Sequence, residues 1–511
     1  MLIQESDLVL YNLTLQRQSN YIHSSTGNFV NADTLTKSQN SLQLCLATEN
    51  HIELYDLSKR NLQKIGNDIP FFAIIKNIKT LRHPTLDIDY LVITSDSGNL
   101  SILKFVWNSD TSTLALSPLC IEPVARSEVR RLSPMEYIAV DKQSRCLMIS
   151  SVEKFKFCYL LNCNNINTSN VNDSPNNGII SSPLEAIRSN FITLDLVACE
   201  MGYIDNPCFA SLEMEITTSK KNRNFFHLVF YMMDLNLNCI VKKADYLLPG
   251  KPNMLIPLTD LAEYGILTNI DNNQYKNNDT TNPFVMVALE DSLLIKDLKG
   301  YYNIKVSLPK CRDHLSPAVV ISHAYRSFKK QIFILLQTNY GDLFKLQIIP
   351  NQNEGNKPQC IINYFDTIPV AEQLHITTNG LLFANSETHS NYLFQFEGLG
   401  SDEGEEIFTF SRTLQNLSIL EKKSTSNYMT AANVVKNSSN QAVVPLKLFT
   451  NTEDSIIKSY TNSVDVETLI SSPLPPGPKN IWTLKRRLDD EFHSYVTLAF
   501  NQYTVFLNIS G

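Results

Sequence analysis

Short apolar runs separated by polar turns recur along this chain of 511 residues. In the segment DYLVITSDSGNLSILKF (89–105), two runs rich in Val, Ile, Leu and Phe flank the tetrapeptide Asp-Ser-Gly-Asn. These apolar residues favour strands, and Gly and Asn tolerate the positive φ that a tight turn needs. The pattern therefore predicts a β-hairpin over this segment.

Similar apolar pairs predict hairpins in most of the chain. The clear ones span 42–57, 146–162, 284–298, 333–349, 381–396 and 495–509, and weaker pairs flank the basic loop at Lys220-Lys221 and the segment 451–454. Several turns lie about 50 residues apart, which is close to the repeat of a four-stranded propeller blade. Long amphipathic helical stripes are missing, so an all-β fold is favoured over a parallel α/β sheet. Radially stacked blades would cover both faces of every sheet; a set of β-sandwiches is the alternative, and the spacing favours the propeller.

Polar segments interrupt this pattern. Asn-rich inserts at 163–178, 269–282 and 351–358 are predicted to be surface loops. The segment SSPLPPGPKN (471–480) is the best linker candidate, because proline blocks both helix and central strand. A new hairpin follows it and lacks partner strands, so we expect a domain that is cut rather than finished.

Charge and composition limit the classes of function that the sequence is compatible with. A net charge of -7 and a pI near 5.8 argue against a strongly nucleic-acid-binding surface. The ten cysteines are scattered, as expected for buried thiols in a reducing compartment. The N-terminus carries no signal-peptide pattern, and no apolar run approaches the ~18 residues that span a bilayer. We therefore expect a soluble intracellular protein without membrane contact.

Candidate chemistry is sparse. The segment GLGSDEG (398–404) is acidic and does not fit a phosphate-binding loop. The nine histidines are dispersed and show no metal-ligand spacing, so neither a metal nor a cofactor is expected. A propeller enzyme would need inward-facing His, Asp or Arg at the starts of blades, and the sequence alone reveals no such set.

Two basic clusters, Arg130-Arg131 and 485–487, lack the interleaved aromatic residues of a nucleic-acid platform. Propeller loops typically bind other proteins through a few Arg and Tyr anchors. We therefore predict a partner-binding role for Arg130, Arg131 and Tyr137.

Several sequence blocks, in order along the chain, together carry a resemblance to one family. They are LYNLTLQRQS (10–19), DYLVITSDSGNLSILKF, RRLSPMEYIAVD (130–141), ISSPLEA (180–186), NPCFASLEME (206–215), YFDTIPVA (364–371) and WTLKRRLDDEFHSYVTLAF (482–500). Through these blocks the chain resembles the large propeller subunit of the splicing factor 3b complex, from near residue 10 to the last residue. The wider family includes the large subunits of the damage-specific DNA-binding complex and of the cleavage-and-polyadenylation specificity factor.

The resemblance implies a fold and a boundary for each domain. The expected fold is an all-β, seven-bladed, WD40-like β-propeller over 10–470, a Pro-rich linker over 471–480, and the first strands of an incomplete second propeller over 481–511. The Asn-rich inserts have no counterpart in the family and are typical of a fungal sequence.

The resemblance also implies a role. We expect a nuclear, non-enzymatic scaffold of the U2 small nuclear ribonucleoprotein (snRNP). Its expected partners are the HEAT-repeat subunit and the small subunits of the splicing factor 3b complex, with little direct RNA contact. The alternatives are a propeller adaptor of a ubiquitin ligase or of the polyadenylation machinery, and a propeller enzyme with a central-channel site.

Overall fold

In the computed structural model the chain is built from strands, and no helix occurs among the described residues. Nor does this part of the chain contain a helix long and apolar enough to cross a membrane. The structure describes residues 21–30, 42–57, 62–108, 113–124, 137–152, 155–162, 179–200, 206–216, 225–258, 282–309, 318–328, 331–349, 359–377, 380–386, 390–396, 414–420, 429–435, 447–452, 456–461, 471–474, 478–500 and 502–509. The Asn-rich inserts at 163–178, 269–281 and 351–358 lie outside them.

The larger of two compact units holds 28 strands in seven four-stranded antiparallel sheets, numbered here in chain order. Sheets 1 to 3 comprise β1 (His23–Gly27), β2 (Gln43–Ala47), β3 (His51–Asp56), β4 (Gln63–Pro70); β5 (Ile75–Arg82), β6 (Asp89–Ser95), β7 (Asn99–Asn108), β8 (Thr113–Pro123); β9 (Tyr137–Val140), β10 (Cys146–Val152), β11 (Phe155–Leu160), β12 (Leu184–Ile187).

Sheets 4 to 7 repeat this order. They comprise β13 (Phe191–Ala198), β14 (Cys208–Glu215), β15 (Phe225–Asp234), β16 (Cys239–Leu248); β17 (Pro252–Leu258), β18 (Phe284–Leu289), β19 (Ser292–Asp297), β20 (Asn303–Ser307); β21 (Val320–Phe328), β22 (Gln331–Thr338), β23 (Asp342–Ile349), β24 (Gln359–Thr367); β25 (Gln373–Ile376), β26 (Leu381–Asn385), β27 (Asn391–Phe396), β28 (Leu414–Leu420).

The first strand of each sheet forms part of a ring. The strands β1, β5, β9, β13, β17, β21 and β25 follow one another as neighbours, and β25 also lies beside β1. Each sheet thus runs from an inner strand to an outer edge strand, which is the arrangement of propeller blades. We call the space inside the seven inner strands the channel.

Apolar clusters fill the gaps between successive sheets, and the strand β6 shows why. Its residues Leu91 and Ile93 pack into the core shared with sheet 1, whereas Tyr90 and Val92 pack into the core shared with sheet 3. Both faces of the strand are buried, so its apolar run is continuous rather than alternating. The hairpin predicted over 89–105 is confirmed, as are the other predicted hairpins.

The turn of this hairpin works as its sequence predicts. The Gly98 amide donates to the Ser95 carbonyl at 3.0 Å, and Gly98 has φ 84°. A β-turn followed by a glycine at positive φ is a common hairpin connection, because most other residues are strained there.

A second turn of this kind, at Gly341, allows a test of how tightly the surrounding residues pack against the glycine. Gly341 has φ +88°, and a Cβ built there would lie 2.4 Å from the Ile368 carbonyl oxygen. Gly250 has a similar φ of +79° but open space around it. We expect Gly250→Ala to lose about 1–2 kcal/mol of unfolding free energy through backbone strain alone, and Gly341→Ala to lose roughly 1–3 kcal/mol more through overpacking. Urea unfolding of both variants measures this difference, and equal losses would contradict it.

The smaller unit includes residues 421–511. Its strands form a four-stranded and a three-stranded antiparallel sheet, and Phe449, Ile481, Val496 and Leu498 form the core described there. These strands are β29 (Met429–Val435), β30 (Lys447–Thr452), β31 (Ile456–Thr461), β32 (Ser471–Pro473), β33 (Asn480–Leu484), β34 (Tyr495–Ala499) and β35 (Thr504–Asn508). Part of the expected linker is thus an edge strand, in which proline is tolerated. The predicted domain boundaries stay predictions.

Candidate interaction sites

The three predicted partner-binding residues do not form a site in the described structure. Arg130 and Arg131 lie outside the described residues. Tyr137 opens β9, where it is half-buried and packs against the core between sheets 3 and 4. Its ring therefore contributes at least partly to packing, and a role in binding stays a prediction.

The inner strands concentrate ionisable side chains that the sequence pattern did not single out. His23 lies on β1, Lys79 on β5, His323 on β21 and His375 on β25. Burial, together with the positive charge of Lys79, lowers the pKa of each histidine to about 4. The influence of Lys79 on side chains from three other sheets indicates that these groups lie near one another in the channel.

Lys79 and a carboxylate on β13 also interact electrostatically. Burial lowers the pKa of Lys79 and raises that of Asp195, and the attraction between the two charges opposes both shifts. The Asp195 carboxylate accepts hydrogen bonds from the backbone amides of Leu196 and Leu255, at 2.8 and 2.7 Å. It is therefore held against the channel wall by its own and the next inner strand.

The contact between the first and last sheets is polar where it lines the channel. The Ser24 hydroxyl donates to Gln373 Oε1 at 2.6 Å and lies 2.7 Å from His375 Nε2. Because a hydroxyl has only one proton, Nε2 must donate to Ser24, which leaves Nδ1 of a neutral His375 as an acceptor. We call this contact the seam.

The channel histidines predict a pH dependence. We expect the unfolding free energy to fall as pH drops from about 6.5 to about 4, because unfolded histidines take up protons in this window whereas the three channel histidines stay neutral. Urea midpoints at pH 7.5 and 5.0 measure the effect. The triple variant His23→Gln, His323→Gln, His375→Gln should show a smaller drop than the wild-type chain, and an equal drop would contradict the assignment.

An apolar groove lies at the outer rim between sheets 1 and 2. The outer strands meet where the Leu114 amide donates to Asn67 Oδ1 at 2.8 Å, and a groove of about 390 Å³ opens between the same two sheets. Phe72, in the loop between the sheets, is 99% exposed. The lining residues carry no ionisable side chain and are Ile69, Pro70, Phe71, Phe72, Ala73, Ser95, Ser97, Asn99, Ser101, Leu103, Leu116, Pro118 and Ile121.

The loop that carries Phe72 is fixed at both ends. The Phe71 amide donates to the Asn50 carbonyl of sheet 1 at 2.7 Å, and the Ile74 amide donates to Asp96 Oδ1 of sheet 2 at 2.8 Å. An exposed ring on a fixed loop loses little conformational entropy when a partner covers it. The loop therefore holds the exposed Phe72 ring in a fixed position beside the groove.

A buried ion-pair network joins sheets 3 and 4. Lys156 Nζ lies 2.8 Å from Glu213 Oε1, and these side chains are only 2% and 0% exposed. Arg188 reaches the other Glu213 oxygen at 2.7 Å, and the Tyr231 hydroxyl donates to Oε1 at 2.9 Å. Burial alone would raise the pKa of Glu213, but the two cations and the hydroxyl together lower it. Glu213 is thus a satisfied buried carboxylate with structural partners.

No group of three or more His, Cys, Asp or Glu side chains within the described ranges could hold a metal ion. The channel histidines were missed because each comes from a different sheet, far apart in sequence. Their only sequence signal is position: each lies in the strand that precedes a central hairpin.

The comparisons with known proteins decide the family. A sequence model described as "RSE1/DDB1/CPSF1 first beta-propeller" matches residues 20–424, which include all 28 strands of the larger unit. This chain belongs to that family. The predicted all-β propeller fold and the predicted family are confirmed.

Relatives within the family are named as splicing factors. The chain is 37% identical to "Pre-mRNA-splicing factor RSE1" of Saccharomyces cerevisiae, over 95% of this chain and 36% of the relative. It is 32% identical to "Pre-mRNA-splicing factor prp12" of Schizosaccharomyces pombe, over 98% of this chain and 42% of the relative. It is 28% identical to "Splicing factor 3B subunit 3" of Drosophila melanogaster, over 98% of this chain and 40% of the relative. The chain therefore spans less than half the length of each.

Proposed function

We propose that this chain acts in pre-mRNA splicing as a non-enzymatic scaffold. In this proposal it belongs to the splicing factor 3b complex of the nuclear U2 snRNP, and it supports branch-site recognition through contacts with the HEAT-repeat subunit and the small subunits. The observation that carries the proposal is the similarity to splicing factors along nearly the whole chain. The propeller geometry supports it, because rigid blades hold loops and rims in fixed positions for partner proteins.

Affinity purification of the tagged chain from fungal nuclear extract tests this role. We expect enrichment of U2 small nuclear RNA and of the HEAT-repeat subunit over an untagged control. Recovery of a cullin, or of polyadenylation subunits without U2 components, would instead support the adaptor alternative and contradict the proposal.

Within this role we assign the Phe72 groove to an uncharged, apolar segment of a partner subunit. The groove has apolar walls and hydroxyl and amide groups but no ionisable side chain, so a charged segment would lose hydration there without gaining an ion pair. Phe72→Ala should lower the recovery of partner subunits without changing the unfolding midpoint. Tyr301→Ala, at a residue that is 65% exposed on a loop of sheet 5, serves as the matched control.

We also propose that the larger unit is a complete seven-bladed propeller over 21–420, a shorter range than the expected 10–470. The strands β29 to β35 would then belong to a second propeller. Support comes from the ring of inner strands and the separate compact unit that follows it. A fragment of residues 20–424 should unfold in one cooperative transition, and failure of this fragment to fold while 10–470 folds would contradict the boundary.

A further inference from the structure

The inner strands carry an excess of positive charge that the rest of the chain does not share. In the seven inner strands the ionised side chains are four cations, Lys76, Lys79, Arg82 and Arg326, and one carboxylate, Asp195. The whole chain has a net charge of -7. The channel wall therefore has the opposite charge balance to the protein as a whole.

Two of the four cations have partners. Arg82 lies 3.8 Å from the Asp89 carboxylate, and Arg326 donates to the Thr377 carbonyl at 2.6 Å. Lys76 and Lys79 form no salt bridge with any residue that the structure describes, and Lys79 is accessible to solvent even though the surrounding strands desolvate it and lower its pKa. These two lysines supply positive charge that no carboxylate within salt-bridge distance neutralises.

The three histidines around Lys79 can add to the positive charge of the channel. His23, His323 and His375 approach it from sheets 1, 6 and 7. The seam fixes the tautomer of His375, so its Nδ1 is available to accept a proton. A neutral histidine that gains a proton beside an anion becomes a second donor, because a nearby negative charge favours the charged form.

We propose that the channel binds a small, multiply charged oxyanion of the phosphate or sulfate class through Lys76 and Lys79, with the three histidines around it. A compact anion fits because the cationic groups lie inside a ring of strands rather than along an open surface. Partial enclosure by protein also strengthens the attraction relative to bulk water. This function is independent of the proposed splicing role.

Calorimetric titration of the purified whole chain tests the proposal, with sulfate and pyrophosphate as probes at constant ionic strength. We expect saturable binding of one anion per chain, and at least a tenfold weaker affinity for Lys79→Met and for Lys76→Met. Lys305→Met, on the exposed outer strand β20, is the matched control and should bind as the wild-type chain does. The unfolding midpoint without anion shows whether each variant is folded.

Proton uptake distinguishes anion binding in the channel from nonspecific attraction of anions to positive charges elsewhere on the protein. Sulfate does not titrate near neutral pH, so protons taken up on its binding must go to the protein. Titrations at pH 6.5 in two buffers of different ionisation enthalpy should show uptake by the wild-type chain and less uptake by His375→Gln. Non-saturable binding, equal binding by both lysine variants and the control, or binding of long RNA alone would overturn the proposal.

Discussion

Ile93→Asp is expected to unfold the larger unit or to remove most of its stability. Ile93 has no exposed surface and packs in the core between sheets 1 and 2, in a strand buried on both faces. A carboxylate placed there has no cationic partner in that cluster, so it must be buried unpaired or be protonated at a cost of several kcal/mol. Since a domain is stable by only about 5–15 kcal/mol, we expect a loss of at least 4 kcal/mol.

Circular dichroism during urea unfolding measures this loss. Ile187→Asp is the matched control, because Ile187 also lies in a strand but is 59% exposed, and it should change the unfolding free energy by less than about 1 kcal/mol. A wild-type midpoint for Ile93→Asp would mean that β6 is not the buried strand described above.

Glu213→Gln is expected to cost about 3–5 kcal/mol of unfolding free energy. The substitution keeps the shape of the side chain but removes the charge that neutralises Lys156, whose side chain is 2% exposed. Arg188 still has Asp245 as a partner at 2.6 Å, so the loss falls mainly on the buried ammonium. Burial already lowers the pKa of Lys156 in the wild-type chain, and without the Glu213 charge Lys156 should lose its proton on folding, so the unfolding free energy of the variant should rise with pH more steeply than that of the wild-type chain.

A double variant separates the cost of an unpaired charge from the value of the pair. Lys156→Met combined with Glu213→Leu should recover most of the stability, because an apolar pair of similar volume avoids desolvating two ions. Glu290→Gln is the surface control, since its pair with Lys251 is exposed and should contribute at most about 1 kcal/mol. A double variant as unstable as Glu213→Gln would show that the network contributes more than charge neutralisation.

The central hairpins of the sheets could be predicted from sequence because burial on both faces leaves an unmistakable apolar run. Strands such as β18, with the sequence FVMVAL, contribute alternate side chains to two different cores. The outer strands were harder to recognise: β16 includes Lys242 and Lys243 and reads like a loop. Its partner strand, not its own side-chain pattern, determines its conformation.

The channel and the network could not be predicted, because they depend on three-dimensional proximity. Lys156 and Glu213 face each other only once sheets 3 and 4 stack, and nothing local in FKFCYL or CFASLEME marks either as buried. The seven sheets have similar sequence patterns, so the sequence does not show which sheets pack side by side. The residues that meet in the channel are therefore known only from the closed ring of the structure.

The contact between sheets 1 and 7, which includes the seam, has a consequence for biosynthesis. Sheet 1 contributes Leu44 and Leu46 to an apolar cluster whose other half, Leu381 and Phe383, comes from sheet 7. At translation rates of roughly 5–20 residues per second, sheet 1 is synthesised many seconds before sheet 7 leaves the ribosome. During that interval the apolar face of sheet 1 is exposed on the nascent chain. Chaperone binding to this face, rather than the rate of hairpin formation, should therefore determine the fraction of chains that close the ring in the cell.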